Sequence, residues 1–457
     1  MRPLSRLAAL SALLLNACYP PGDGKAPPLD EIYFPTGAAL DRSWEFDGDP
    51  NTTKSEYLYI ANSDFDLQYR SSSLISYKLD ELSKAIPRSC NTDPDCTVWG
   101  QVCDSLNPAS LPTDSSRVPS YYCVTPPPPN QDGSDVPASA IKPCGELGER
   151  EEAAQVLYPG RCNPINPTPF REDSVGIGAF ATDVIWRRSC DSLDDNDECV
   201  HDATGRSRLF IPVRGDSTLH WIDVLNDEEP GRDKSQFDCG QFNGDQEGCD
   251  AAHRAGDSPD VNNVHIDQPP EPFAIDATDF GEYVVVTNQT QGSVSLYRDA
   301  SQPGASVAVG PKLVDLATGL PFAPVGVATV PKPKFAVPDP TYEPSFLVTY
   351  RSAAQIDLLR AHKTTDESTG SGLAVQDRYN LRRVATVPIN ANSLNFDQRG
   401  IAIDDSARVA DYDKCQATSD ACGTATDCEQ AYELCLKSAQ QPSVFAASIS
   451  ASGALPR

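Results

Sequence analysis

The chain is poor in positive charge: 37 Lys and Arg stand against 65 Asp and Glu, leaving a formal net charge of −28. Phosphate backbones and anionic lipid surfaces both demand clustered Lys and Arg, so nucleic acid is excluded as a main partner and electrostatic membrane docking with it. Histidine is scarce, with five in 457 residues, and none stands at the H-E-x-x-H spacing that holds zinc on a helix face. No G-x-S-x-G elbow and no phosphate-cradling G-x-x-x-x-G-K is present. No two cysteines approach C-x₂₋₄-C spacing, which removes zinc modules, a C-x-x-C redox pair and a C-x-x-C-H haem site together. No apolar run reaches the roughly 18 residues of a membrane-spanning helix. What remains is a polar, turn-rich chain with 40 Pro, 29 Gly and 39% hydrophobic residues, enough for one large core or two smaller ones.

The N-terminus carries an address. Arg2 and Arg6 flank a positive start, and Leu7 to Leu15 is a short apolar stretch. Nine helical residues rise roughly 14 Å, under half a bilayer core, so the segment reads as a secretory signal. It ends in Leu15-Asn16-Ala17-Cys18. Leu at −3 spoils an ordinary signal-peptidase site, whereas Leu at −3, a small residue at −1 and Cys at +1 resemble a bacterial lipobox. Asn16 departs mildly from that pattern. The resemblance implies that Cys18 is lipidated and becomes the new N-terminus, anchoring the chain in the bacterial cell envelope, at the outer membrane. Contact with the membrane is then through lipid only.

Cysteine usage agrees with export. Of 15 Cys, 14 remain once Cys18 is set aside, and they fall into local, even-numbered groups. These are Cys90, Cys96, Cys103 and Cys123; Cys144 with Cys162; Cys190 with Cys199; Cys239 with Cys249; and Cys415, Cys422, Cys428 and Cys435. Even local groups suit disulfides formed in an oxidising compartment. The run from Cys90 to Val124 is similar to small cysteine-rich modules of exported myxobacterial proteins. Cys428 to Cys435 has helical character, and with Cys415 to Cys422 it predicts a stapled helical hairpin.

A weak repeat runs between these cysteine groups. Each copy has a Pro- or Gly-marked apolar segment, a hydrophobic strand, a polar hairpin and a second alternating strand. The copies begin at Pro35, Val175, Pro272, Pro324 and Arg399. Strands of four to seven residues rich in Val, Ile, Tyr and Phe, repeated in units that cannot bury both faces alone, predict an all-β chain and a β-propeller. Gly37, Gly176, Gly326 and Gly400 are expected on inner strands beside a narrow channel. Tyr283-Val-Val-Val-Thr-Asn288 followed by Gly292-Ser-Val-Ser-Leu296 resembles the YVTN-type propeller repeat, with Tyr59-Ile-Ala-Asn62 a looser match. Propellers of that family usually carry seven blades, whereas this chain shows four copies and a partial fifth. Unrecognised strands in the insertions, completion of the last blade by the N-terminal segment, and a shortened chain all remain open.

The expected organisation is a signal peptide over 1–17, a tether over 18–30 and a blade over 31–89. A cysteine-rich insertion follows over 90–170, then blades over 171–408 with an insertion at 225–270. The helical hairpin takes 409–440 and a propeller strand 441–457. No catalytic, metal or cofactor residue is singled out. The acidic stretches Asp47–Asn51 and Asp191–Glu198 hold oxygen ligands without an EF-hand framework, so calcium is at most a weak possibility. Gly176-Ile-Gly178 imitates a dinucleotide fingerprint but opens no helix. His220, in an alternating strand, is expected at solvent or a blade interface. The expected function is a lipid-anchored extracytoplasmic binding or scaffold module whose partner is an unknown protein or envelope ligand. The alternative is a lactonase-like hydrolase drawing on residues such as His265, Glu271 and Arg399 at the channel.

Overall fold

The computed structural model describes residues 25–41, 55–82, 167–188, 207–225, 236–240, 248–299, 310–331, 343–366 and 376–389 apart from short gaps. It also describes short strands at 88–90, 102–105, 121–124, 192–193, 199–200, 397–404 and 443–449. The expected signal peptide, Cys18 and the helical hairpin lie outside the described residues.

The first sheet contains β1 (Pro35–Leu40), β2 (Tyr57–Asn62) and β3 (Ser72–Lys78). The chain then leaves through β4 (Arg88–Cys90), β5 (Val102–Ser105) and β6 (Tyr121–Val124), a separate sheet in the order β4-β6-β5. It returns as β7 (Arg171–Ile177) to pair with β3. The cysteine-rich insertion therefore sits between the third and fourth strands of one blade. This corrects the sequence reading of the Val175 segment, which closes the first blade from outside and does not open the second. Gly176 accordingly stands on an outer strand.

The second blade's inner strand is β8 (Ile185–Arg188), followed by a small excursion with β9 (Ser192–Leu193) and β10 (Cys199–Val200). The blade continues with β11 (Ser207–Val213), β12 (Thr218–Leu225), β13 (Gln236–Asp238) and β14 (Arg254–Ala255). Both β13 and β14 pair with β12, so the stretch expected as an insertion at 225–270 supplies the blade's outer edge. The third blade is an uninterrupted antiparallel meander of β15 (Pro272–Ala277), β16 (Tyr283–Asn288), β17 (Ser293–Arg298) and β18 (Lys312–Ala317). The fourth repeats it with β19 (Pro324–Thr329), β20 (Ser345–Tyr350), β21 (Gln355–Asp366) and β22 (Gln376–Pro388). Finally β23 (Asp397–Asp404) pairs with β24 (Ser443–Ile449) as part of a fifth blade. Inner strands of successive blades pack side by side, β1 on β8, β8 on β15, β15 on β19 and β19 on β23. This is the radial arrangement of a β-propeller.

Strand alternation explains why these segments are apolar on both faces. Successive side chains point to opposite sides of a strand, and a blade in the ring has a neighbour on each side. Leu209, Ile211 and Val213 enter the core shared with Tyr57, Tyr59 and Val175 of the first blade. Phe210, between them, turns to the core shared with Val284, Val286 and Tyr297 of the third. Val285 in turn joins Phe346, Val348 and Leu359 of the fourth.

Carboxylates staple the seams. Asp276 accepts the Thr329 N–H of the next blade at 2.7 Å, its own strand's Ala277 N–H at 2.8 Å and the Arg187 guanidinium of the preceding blade at 2.5 Å. Asp183 does the same one blade earlier, bonding the Val184 N–H at 2.9 Å and the Ile275 N–H of the third blade. On the outer edges Asp173 accepts the Phe237 N–H at 2.7 Å and Asp315 the Leu381 N–H at 2.5 Å. Burial raises the Asp183 carboxyl to about 7, against the two backbone hydrogen bonds that favour its charged form. Two expected inner-strand glycines are explained by close approach of backbones between blades. A Cβ on Gly37 would lie 2.5 Å from the Val184 nitrogen, and one on Gly326 would lie 3.2 Å from the Cα of Gly400.

Candidate functional site

The repeat is broken most in the second blade, and a cleft of about 380 Å³ opens there against the first. One wall is the N-terminal segment. Lys25 bridges Tyr69, its carbonyl accepts the Arg70 N–H at 3.0 Å, and the Leu29 carbonyl accepts the Arg171 guanidinium at 2.9 Å. Residues 25–30, expected as tether, are thus docked on the first blade, and Pro27 and Leu29 line the cleft. A second wall is the Cys239–Cys249 disulfide loop. Cys249 donates its N–H to the Gly176 carbonyl at 3.1 Å, fixing Gly248 and Cys249 along the end of β7. Among the predicted disulfides this one is formed. Cys90, Cys103, Cys123 and Cys199 lie on described strands without described side chains, and the other eight predicted disulfide cysteines lie outside the described residues.

The floor is the β11–β12 hairpin. Arg214 and Gly215 donate backbone N–H groups to Phe180 and Ala179 at 3.1 and 3.0 Å, clamping the turn to the preceding chain. Asp216 is held from three sides. Its Oδ1 accepts the Thr218 hydroxyl at 2.6 Å, while its Oδ2 lies 3.0 Å from His220 Nε2 and 3.6 Å from an Arg254 Nη1. Burial pushes the Asp216 carboxyl up, yet the His220 and Thr218 hydrogen bonds and the neighbouring positive charges outweigh it and leave the group below the ordinary carboxylate range. An ionised carboxylate only accepts, so His220 Nε2 carries the proton in this contact. The His220 side chain is 1% exposed, and its Nδ1 is buried with no hydrogen-bond partner among the described residues. Gly178 leaves the room: a Cβ there would stand 2.7 Å from Val213 Cγ1, 2.8 Å from Asp216 Oδ2 and 3.0 Å from His220 Nε2.

The residues suggested for channel chemistry are not brought together in any described contact. Glu271 pairs with Arg214 at 2.7 Å, His265 is exposed in a left-handed turn with φ 53°, and the Arg399 side chain lies outside the described residues. His253 bonds Asp250 at 2.7 Å and stacks on Trp221, and His362 pairs with Glu343. His201 lies outside the described residues. The Arg214-Gly-Asp216 tripeptide is spent inside the fold, both of its charges being paired. The calcium-candidate stretch Asp47–Asn51 lies outside the described residues, as does most of Asp191–Glu198. Among the described residues no cluster of three His, Cys, Asp or Glu side chains forms a metal centre.

Sequence reading placed His220 at solvent or an interface but missed its partners. Thr218 and His220 stand two residues apart on one face of β12, and Asp216 lies in the hairpin turn two residues before them. That alternation was the available signal. Arg254 and Arg70 gave none, since their position depends on pairings far along the chain.

No protein-family model and no curated protein matches the chain. Solved structures do. A protein of Lactobacillus plantarum matches over 95% of this chain and 72% of its own, at 11% identity and a TM-score of 0.31. A 6-phosphogluconolactonase-type protein of Bacteroides uniformis matches over 80% and 75%, at 9% identity and a TM-score of 0.23. The β-propeller domain of Cps50 (Swd1) from Myceliophteria thermophila matches over 83% and 92%, at 7% identity and a TM-score of 0.23. At these values the likenesses carry no argument about chemistry.

Proposed function

We propose that the chain is a YVTN-type propeller, lipid-anchored through Cys18 on the extracytoplasmic side of a bacterial outer membrane, that binds a small ligand without turning it over. The observation that carries this reading is the state of His220 in the cleft. One ring nitrogen is held by Asp216 and the other is buried, so neither is presented to a substrate as a general base. A cleft of about 380 Å³ with few convergent polar groups has the dimensions of a small-molecule site. The Cys239–Cys249 disulfide suits an oxidising compartment. Lys25 stands seven residues after Cys18, so the cleft wall lies within about 25 Å of the proposed anchor.

Two experiments test the proposal. Metabolic labelling with a radioactive fatty acid should mark the native protein and fail with Cys18→Ala, which should also leave the membrane fraction; unlabelled native protein would sink the anchor. A thermal-shift screen of polar small molecules should return ligands that stabilise the native protein and not Gly178→Val, whose side chain would displace Asp216 and His220 from the cleft floor. Turnover of any such ligand at a rate abolished by His220→Gln would favour the hydrolase instead.

A further inference from the structure

We infer that the cleft takes a singly charged carboxylic acid with a short apolar body, its carboxylate held by Arg254 and Arg70 and its body against Pro27, Leu29 and Ile177. This deepens the reading of the cleft as a binding site and rests on it.

Charge carries the first step. Apart from the His220 ring, which is spent on Asp216, the lining contains two guanidiniums and one carboxylate, leaving a surplus of one positive charge in a protein whose formal net charge is −28. Asp216 does not cancel that surplus. Its Oδ1 takes the Thr218 hydroxyl and its Oδ2 the His220 ring, so Arg254 is left with a contact of 3.6 Å. The Arg254 Nε is buried with no hydrogen-bond partner among the described residues, while the side chain as a whole is 30% exposed. A guanidinium cannot shed its proton, so its N–H groups stay donors in need of an acceptor. Arg70 forms no ion pair among the described residues; it is fixed through its backbone, whose N–H bonds the Lys25 carbonyl. Planar guanidiniums recognise carboxylates through paired hydrogen bonds, and a monoanion matches the surplus. A phosphate dianion would exceed it.

Shape carries the second step. Pro27 and Leu29 of the docked N-terminal segment and Ile177 at the end of β7 supply the apolar part of the lining. A hydrated inorganic ion makes no use of that wall, whereas a short apolar body does.

The test is calorimetric titration of the intact protein with hexanoate, hexanamide and hexyl phosphate at fixed ionic strength. Hexanoate should bind, with hexanamide and hexyl phosphate at least tenfold weaker. Arg254→Gln and Arg70→Gln should each weaken hexanoate tenfold or more, with unchanged near-UV circular dichroism. Arg360→Gln, on the distant β21, should leave binding as it was. Hexanoate binding that survives both cleft substitutions would overturn the assignment. Preferential binding of hexanamide or hexyl phosphate, lost in Gly178→Val, would also overturn it while keeping the cleft as a binding site. Failure of all three probes to bind would overturn the carboxylic-acid assignment, while a hit in the thermal-shift screen that is lost in Gly178→Val would keep the cleft as a binding site.

Discussion

The second and third blades are built from the same repeat and end differently. The third runs from Pro272 to Ala317 as four consecutive strands, with β15, β16 and β17 joined by short turns. The second takes its inner strand from four residues at Ile185–Arg188, detours, and shares its outer edge between β13 and β14. Where the repeat is regular, both faces of the blade disappear into seams with its neighbours. Where it is irregular, a hairpin, a disulfide loop and the N-terminal segment meet without filling the space between them. The departure from the repeat is what makes the cleft.

If that division is right, the second blade must be fastened to the third by something other than regular packing. Arg208 is the largest such fastening. It is 2% exposed, bonds Asp223 of its own blade at 2.7 Å and Asp299 of the third at 2.6 Å, and its guanidinium lies 4.2 Å from the Trp221 ring centroid. Arg208→Ala would leave two buried carboxylates without their cation, a loss of about 3–5 kcal/mol. Urea denaturation should show it, and a cost below about 1 kcal/mol would mean the seam holds without the triad. Asp276→Ala removes an equivalent fastening between the third and fourth blades, where regular packing shares the burden. A smaller loss of about 2–3 kcal/mol is expected, as for charge-assisted hydrogen bonds left unmade.

The disulfide sharpens the comparison differently, because it braces only the irregular blade. Cys239→Ser with Cys249→Ser opens a loop with a sequence separation of 10 residues, which should cost about 2–3 kcal/mol. Hydrogen exchange should rise in β13, β14 and the cleft wall and stay unchanged in β16 and β17. Equal loosening of both blades would show that the brace serves the whole ring.

Protonation offers a reading of the same seam. Asp183 stands near 7 and Asp299 near 6, each raised chiefly by burial, against about 3.9 for an aspartate in an unfolded chain. The folded state therefore holds more protons than the unfolded state between those values. Their contribution to stability is complete below about pH 4 and is lost as pH rises through 6 and 7. Each group adds a slope of at most about 1.4 kcal/mol per pH unit. Asp183→Asn should flatten the fall of the urea midpoint between pH 4 and 7, a readout that a uniform loss of stability leaves alone. An unaltered slope would assign the protons elsewhere.

How much of this was legible follows the same line. Tyr283–Asn288 and Ser293–Arg298 are contiguous and alternate cleanly, so the third blade could be read strand by strand. The Asn288 of that motif bonds Ser293 and Ser295 at 3.1 and 2.9 Å, and Asn62 bonds Ser73 at 3.1 Å, so the sequence repeat reflects a repeated hydrogen bond. Ile185–Arg188 was missed because four residues ending in two arginines do not announce a strand. Val175–Ile177 was assigned to the wrong blade because its partner β3 lies across an insertion. The seam aspartates were half visible: Ile275-Asp276 and Ile403-Asp404 recur at one place in the repeat, but which neighbour each carboxylate meets depends on ring order. The cleft was not visible at all, since its walls come from segments more than 200 residues apart in the chain.

The smallest effect addresses why irregularity is confined. Phe180, Glu271 and Ala323 all have φ between 57° and 62°; Glu271 and Ala323 stand immediately before inner strands and Phe180 before Ala181, which bridges Val213, and each carbonyl accepts the N–H of the residue after its blade's second strand. A left-handed backbone costs a non-glycine residue roughly 1 kcal/mol, so three blades hold the same strained entry. At Ala323 the side chain is a single buried methyl, and the Arg351 N–H bonds its carbonyl at 2.9 Å. Ala323→Gly relieves the strain, at the expense of one methyl's packing and a freer unfolded chain. The expected outcome is a gain of about 0.5 kcal/mol, read from the urea midpoint. A loss of 1 kcal/mol or more would mean that the left-handed turn is held by packing of that methyl, and that the regular blades depend on tight entries as much as on their seams.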